Sequence, residues 1–157
     1  MLQKYLTTKN IITLSVFLVS IIVYLLTFQR TVPYWDCGEF IATAAIMGVP
    51  HPPVAPFFTL LGRIFTMLPI GDNPAIRMNF LSVLSSALTV MFLFLIITEI
   101  LTLWKKQLSS LGDQIIVYGS AIIGSLAYSF SDSFWFNAVE AEVYAASMLF
   151  FSAVVWL

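Results

Sequence analysis

The segment from Ile11 to Phe28, IITLSVFLVSIIVYLLTF, contains no charged residue. As an α-helix it would be about 27 Å long, close to the ~30 Å hydrocarbon core of a bilayer. A secretory signal peptide has a shorter apolar core of about 7 to 15 residues, and the TFQRTVPYW region that follows shows no small-residue cleavage pattern. The segment therefore predicts an uncleaved transmembrane helix at residues 11–28.

Further apolar segments predict an all-α, polytopic membrane protein. Hydrophobic residues make up 60% of the chain, charged residues only 10%, and the mean hydropathy is +0.96, far from the values of soluble domains. Asn73 and Pro74 form a typical helix start, and we predict further membrane spans at about 74–104, 115–130 and 138–157. The sequence is still apolar at Leu157, so we expect residues 1–157 to be the N-terminal fragment of one larger transmembrane domain.

Basic residues predict the orientation of these spans. Two lysines precede the first span and two separate the second from the third, and short basic flanks stay in the cytoplasm; these residues are Lys4, Lys9, Lys105 and Lys106. The loop at about 29–73 is then external. We expect a bacterial inner-membrane protein with a cytoplasmic N-terminus and its site on the periplasmic face; the endoplasmic-reticulum membrane is the alternative.

The external loop is too apolar to be a simple linker. FIATAAIMG predicts a short helix ending at Gly48, PHPP breaks the chain, and VAPFFTLLGRIFTMLP predicts a second short, amphipathic helix ending at Pro69. Because neither helix is long enough to span, we expect both to lie in the membrane interface. Such a loop suits a protein that handles a lipid headgroup.

Most of the acidic residues map to the external side. They are Asp36, Glu39, Asp72, Asp132, Glu140 and Glu142. The spacing Asp36-x-x-Glu39 is typical of a helix capping box, and Asn137-x-x-Glu140 has the same form. Ionisable residues beside a membrane also predict a functional site. Glu140 and Glu142 would point to nearly opposite faces of a helix, so at most one of them is expected to share a site with Asp36.

Other candidate residues surround these acids. His51, held between two prolines, could act in acid/base chemistry, contact a phosphate, or simply bond to backbone or water. Arg77 and Arg63 could bind a phosphate, or could snorkel and pair with Asp72. Tyr34 and Trp35 fit an interfacial aromatic belt or a sugar-stacking surface.

Several function classes find no support. One histidine, one cysteine and scattered carboxylates match no zinc-ligand spacing, and the sequence leaves a need for another divalent cation open. A net charge of −1 without a basic run argues against nucleic acid as a partner.

Four motifs together resemble a known family of polytopic membrane proteins. They are D-x-G-E-F at 36–40, G-V-P-H-P-P at 48–53, R-x-N at 77–79 and N-A-V-E-A-E-V-Y at 137–144. The family includes the animal endoplasmic-reticulum O-mannosyltransferase that acts on plexins and the hepatocyte growth factor receptor, and bacterial relatives long filed as a domain of unknown function. Val54-Ala55 departs from the Gly-Tyr expected after the two prolines.

The resemblance implies a glycosyltransferase of the GT-C type. Its donor would be a polyprenyl-phosphate-linked sugar and its acceptor a hydroxyl of a protein or glycan, with transfer by inversion on the external face. Asp36 would be the general base and Glu39 its support. Arg77 and His51 would contact the donor phosphate, and Glu140 or Glu142 would complete an acidic pocket. The fragment alone is expected to be inactive.

Two other classes remain open. A transporter of lipid or lipid-linked sugar would also use an acidic external vestibule, although it should carry polar residues near mid-membrane. A noncatalytic membrane subunit of a cell-envelope assembly would tolerate loss of Asp36.

Overall fold

The structure is a computed structural model that describes residues 2–52, 55–106, 108 and 110–157, with side chains from Thr8 onward. Its elements are the helices α1 (Leu2–Thr27), α2 (Cys37–Ile46), α3 (Pro56–Thr66), α4 (Pro74–Lys105), α5 (Leu111–Ser129), α6 (Asp132–Val139) and α7 (Val143–Trp156). The described residues contain no strand. The prediction of an all-α membrane protein is confirmed.

Helix α4 forms the centre of the molecule and contacts every other helix, most extensively α1, α5 and α7. It begins as the sequence predicts: the Asn73 side chain accepts a hydrogen bond from the backbone N–H of Ile76 at 3.0 Å, and Pro74 takes the first helical position. The Val83, Ala87, Val90 and Phe94 side chains are buried along it. Helices α1, α5 and α7 are therefore arranged around one apolar axis.

Within the part of the chain that the structure describes, two helical segments are long and apolar enough to cross a membrane, Thr8–Thr27 and Pro74–Lys105. A third crossing would consist of α5 and α6 together, which are bent by 65° at the break between them. Near this bend, the buried Tyr24 hydroxyl donates to the backbone oxygen of Ser129 at 2.9 Å, and the Trp135 ring meets the Tyr24 ring edge-on at 5.8 Å. These contacts fix α1 against the bend.

The prediction of a helix running from about 138 to 157 is wrong at its start. Asn137 lies inside α6, and its side chain donates to the backbone oxygen of Ser133 at 2.8 Å. It therefore caps no helix, because the helix has already begun at Asp132. Glu140 and Glu142 have extended backbone angles, and α7 starts only at Val143.

The loop predicted to be external, at about 29–73, contains the two predicted short helices, with shifted ends. Helix α2 ends one residue earlier than expected, because Met47 and not Gly48 takes the left-handed conformation, with φ of 57°. Helix α3 ends at Thr66, before Pro69. Val54, the departure from the family pattern, lies outside the described residues.

Contacts at the two ends of α4 define two ends of the molecule. Lys9 pairs with Glu99, and Lys105 pairs with Asp113 at 2.8 Å. Asn79, near the other end of α4, donates to the backbone oxygen of Gln29 at 2.7 Å. At 1.5 Å per residue, Asn79 and Glu99 are about 30 Å apart. The lysine pairs and the loop at about 29–73 therefore lie at opposite ends of the molecule.

Candidate functional site

The Asp36 side chain is not a helix cap. Asp36 has helical backbone angles, with φ of −73° and ψ of −10°, and its carboxylate makes no hydrogen bond to the first turn of α2. A capping side chain needs a more extended backbone at this position. The capping-box prediction for Asp36 and Glu39 is thus wrong, and the Asp36 carboxylate is 59% exposed beside the start of α2.

Glu39 binds His51 instead of the start of its own helix. Its carboxylate accepts the backbone N–H of His51 at 2.6 Å and lies 2.5 Å from the ring Nδ1. The other ring nitrogen, Nε2, lies 3.9 Å from Oδ2 of Asp36. His51 therefore stands between the two carboxylates that the sequence analysis placed in one site.

The contacts among Asp36, Glu39 and His51 shift the pKa values of Glu39 and His51 toward their charged forms. The hydrogen bond to Glu39, and then its negative charge, raise the pKa of His51, with a smaller contribution from Asp36. The same hydrogen bonds lower the pKa of Glu39. Both effects favour an imidazolium facing two carboxylates.

Glu140 and Glu142 both reach the start of α2. Oε1 of Glu142 lies 3.3 Å from Sγ of Cys37, and Oε2 of Glu140 lies 3.8 Å from the same sulfur. The prediction that only one of them could share the site assumed a helix. In the extended segment between α6 and α7, residues two apart point to the same side.

Burial changes the acidity of Glu140, Glu142 and Cys37. It raises the pKa of both Glu140 and Glu142; the bond from Cys37 opposes this shift in each case, and Asp36 raises the pKa of Glu142 further. Burial, and then the charge of Glu142, raise the pKa of the Cys37 thiol far above its usual range. Cys37 is therefore a neutral thiol that donates to carboxylates.

We call these six side chains the acidic cluster: Asp36, Cys37, Glu39, His51, Glu140 and Glu142. Cys37 was missed as a member by sequence reasoning, although its position next to Asp36 was a usable signal. Ser82 was also missed; its hydroxyl accepts the backbone N–H of Glu142 at 3.3 Å and so ties the extended segment to α4.

Arg77 does not join the acidic cluster. Its guanidinium donates to the backbone oxygens of Thr66 at 2.7 Å, Ile70 at 2.8 Å and Gly71 at 3.2 Å. The structure shows no ion pair between Arg77 and Asp72 among the residues it describes. Arg63 similarly donates to the backbone oxygen of Ala45, at 2.6 Å. Both arginines hold the α2–α3 region in place.

Aromatic side chains and an apolar groove border the cluster. Tyr34 and Trp35 are exposed just before Asp36, and Trp35 has a left-handed backbone with φ of 61°. A groove of about 370 Å³ opens between the segment before α2, the helix α2 and the start of α4. It is lined by Thr31, Val32, Gly38, Ile41, Ala42, Ala45, Asn73, Pro74 and Ala75. The exposed rings fit a belt or a stacking surface equally well.

Across residues 8–52, 55–106, 108 and 110–157, no group of three or more His, Cys, Asp or Glu side chains is arranged to hold a metal ion.

Comparison with known proteins gives a consistent result. The family described as the protein O-mannosyl-transferase TMEM260 N-terminal domain matches residues 36–157. A protein O-mannosyl-transferase TMEM260 of Mus musculus is 33% identical over 139 residues, which cover 88% of this chain and 18% of the relative. A protein of the same name from Dictyostelium discoideum is 24% identical over 143 residues, covering 90% of this chain and 16% of the relative. No solved structure matches. The chain thus spans under a fifth of either relative's length.

Proposed function

The chain belongs to the family of the TMEM260 protein O-mannosyl-transferase N-terminal domain, and on that premise we propose that it carries the catalytic base of a membrane glycosyltransferase of the GT-C type. The reaction transfers a sugar, mannose by the names of the relatives, to a hydroxyl group of a protein. The donor is a polyprenyl-phosphate-linked sugar.

One observation carries this proposal. Two pairs of carboxylates, about a hundred residues apart in the sequence, meet at the start of α2. One pair is Asp36 and Glu39, and the other is Glu140 and Glu142. Burying carboxylates, and gathering like charges, costs free energy, as the raised pKa values of Glu140 and Glu142 indicate. A fold that keeps such a cluster supports a functional role for it.

Asp36 is the member best placed to act as the base. Its carboxylate is exposed, takes no part in capping, and follows two exposed aromatic rings on which a sugar could stack. In the proposed step, Asp36 takes the proton of the acceptor hydroxyl while the oxygen of that hydroxyl bonds to the anomeric carbon. The bond from that carbon to the donor phosphate breaks, and the phosphate leaves on the opposite face, so the configuration inverts.

The groups that His51 and Arg77 face leave neither residue available for the donor phosphate. His51 faces two carboxylates and Arg77 faces three backbone carbonyls. A phosphate placed directly on His51 would lie beside both carboxylates and be repelled by them. We therefore assign the phosphate to neither residue.

We further propose that the protein lies in a bacterial inner membrane with the cluster facing the periplasm. The pairs Lys9–Glu99 and Lys105–Asp113 mark the end opposite to the cluster, and basic residues favour the cytoplasmic side. The short helices α2 and α3 then lie at the external interface, where a lipid-linked donor presents its headgroup.

Glycoprotein mass spectrometry of a deletion strain tests the function. We expect a protein-linked hexose to disappear in the deletion, to return with the full-length wild-type gene, and to stay absent with a stably expressed Asp36→Asn variant. If the deletion changes no glycan, the glycosyltransferase proposal fails, and a lipid transporter or a noncatalytic envelope subunit replaces it.

A further inference from the structure

The position of His51 explains how an uncapped Asp36 can be held in one orientation. Asp36 makes no bond to the backbone of α2. Among the described residues, the contact found for its carboxylate is the one to Nε2 of His51, at 3.9 Å. At this distance the contact is electrostatic and not a hydrogen bond, so the imidazole acts on the Asp36 carboxylate through its charge.

The imidazole itself is fixed by Glu39. Two bonds, from the backbone N–H and from the ring Nδ1 of His51, converge on the two oxygens of the Glu39 carboxylate. This bidentate arrangement sets both the position of the turn and the plane of the ring. With Nδ1 committed to Glu39, Nε2 is the nitrogen left to face Asp36.

We propose that His51 is a positioning residue for Asp36, acting as a charged bridge in which Glu39 holds the imidazolium and the imidazolium orients the Asp36 carboxylate. This inference rests on the proposed function of Asp36 as the base. It gives the G-V-P-H-P-P turn a role distinct from phosphate binding: the flanking prolines Pro50 and Pro52 restrict the backbone that presents the ring.

The bridge predicts a dependence on pH. The described charged groups facing His51 are Glu39 and Asp36, and the next one, Glu142, faces Asp36. Because these contacts raise the pKa of His51, the bridge is complete at and below the ordinary histidine value of about 6.5. It is lost as the pH rises through the raised pKa.

Carbethoxylation of the full-length protein tests the charged bridge without an activity assay. Diethylpyrocarbonate modifies the neutral imidazole. Mass spectrometry of the peptide containing His51, after modification at a series of pH values, therefore gives the titration curve of that histidine. We expect a midpoint above pH 6.5 in the wild type and a lower midpoint in Glu39→Gln, which keeps an acceptor oxygen but no charge. A wild-type midpoint at or below 6.5, or no change in Glu39→Gln, overturns the bridge.

Transfer kinetics then test the positioning role. We expect His51→Gln to lower kcat by roughly 10-fold or more with little change in KM, as for a misplaced catalytic group. The wild type should lose activity on the alkaline side, and His51→Lys, which stays charged, should retain more activity there than His51→Gln. A His51→Gln variant with the wild-type kcat and pH profile overturns the inference.

The two proposals fail in different ways. If Asp36→Asn abolishes transfer while His51→Gln leaves it unchanged, only the positioning role is wrong. If the wild-type protein transfers no sugar, the proposed function fails and the positioning role falls with it, whatever the His51 titration shows.

Discussion

At the scale of single residues, Glu142 shows what the acidic cluster costs. Its carboxylate is partly buried near Glu140 and Asp36, and the Cys37 thiol opposes the shift only in part. Burial and the neighbouring charge raise the pKa of Glu142 in the folded protein. Ionisation of Glu142 therefore favours the unfolded state once the pH exceeds the ordinary glutamate value of about 4.3.

Glu142→Gln should accordingly stabilise the protein at pH 7. We expect the Tm of the full-length protein in detergent to rise, because a glutamine at this position carries no charge to be buried. The gain should vanish near pH 4, where Glu142 is protonated in both states. Asp132→Asn, an exposed acid at the start of α6, serves as the control and should leave Tm unchanged. A lower Tm for Glu142→Gln at pH 7 contradicts the argument.

The residue scale is also where sequence reasoning was least reliable. The Asp36-x-x-Glu39 spacing favoured a local cap, but Glu39 bonds to a residue twelve positions further on. Local spacing cannot rank a distant partner above a near one. The grouping of Asp36 and Glu39 with one distal glutamate was nevertheless predictable, because charged residues in so apolar a chain are few. The presence of both Glu140 and Glu142 was not, because a helix was expected there.

At the scale of helices, one glycine decides how closely the external loop packs on α4. A Cβ atom at Gly62 in α3 would lie 2.6 Å from Sδ of Met78 and 2.9 Å from Cβ of Ala44. Met78 and Ala44 are both fully buried, and the Cβ of Ala44, attached directly to the α2 backbone, can move only if that helix shifts. Gly62 thus allows α2, α3 and α4 to meet beneath the acidic cluster.

Gly62→Ala should therefore destabilise the protein despite the better helix propensity of alanine. Overpacking costs about 1–3 kcal/mol, and the propensity gain returns about 1 kcal/mol. Thermal unfolding measures the net loss as a lower Tm. Gly119→Ala in α5 is the matched control, because a Cβ there meets nothing within 4 Å, and its Tm should not fall. Equal Tm values for both variants and the wild type would refute the close packing.

Helix identity was predictable and helix breaks were not. Apolar length predicted α1 and α4, and the Asn73-Pro74 signal located the start of α4. The break between α6 and α7 was missed because Asn137 and Glu140 imitate a helix start locally. The extended segment depends on contacts to α2 and α4, from Cys37 and Ser82, that no local pattern encodes.

At the scale of the whole molecule, the account requires that the two ends of α4 face opposite sides of the membrane. Tyr34, 87% exposed, lies at the end with the acidic cluster, and Trp104, 79% exposed, lies at the end with the lysine pairs. Single-cysteine labelling can therefore distinguish the two ends.

A membrane-impermeant maleimide applied to intact cells should label Tyr34→Cys in the full-length protein. Trp104→Cys should be labelled only after the membrane is permeabilised, with peptide mass spectrometry identifying each site. Cys37, being buried, should react in neither case. Labelling of Trp104→Cys alone in intact cells would place the acidic cluster in the cytoplasm and contradict the proposed orientation.

The central claim is that Asp36 is the base for sugar transfer, and the most direct test is the kcat of purified full-length protein. The substrates are polyprenyl-phosphate-linked mannose and envelope proteins extracted from the deletion strain. The account predicts that Asp36→Asn lowers kcat by about 10²–10⁴-fold, the usual contribution of a general base, with the Tm unchanged and with Asp132→Asn fully active. An Asp36→Asn enzyme that keeps more than about a tenth of the wild-type kcat, well outside that range, would contradict it.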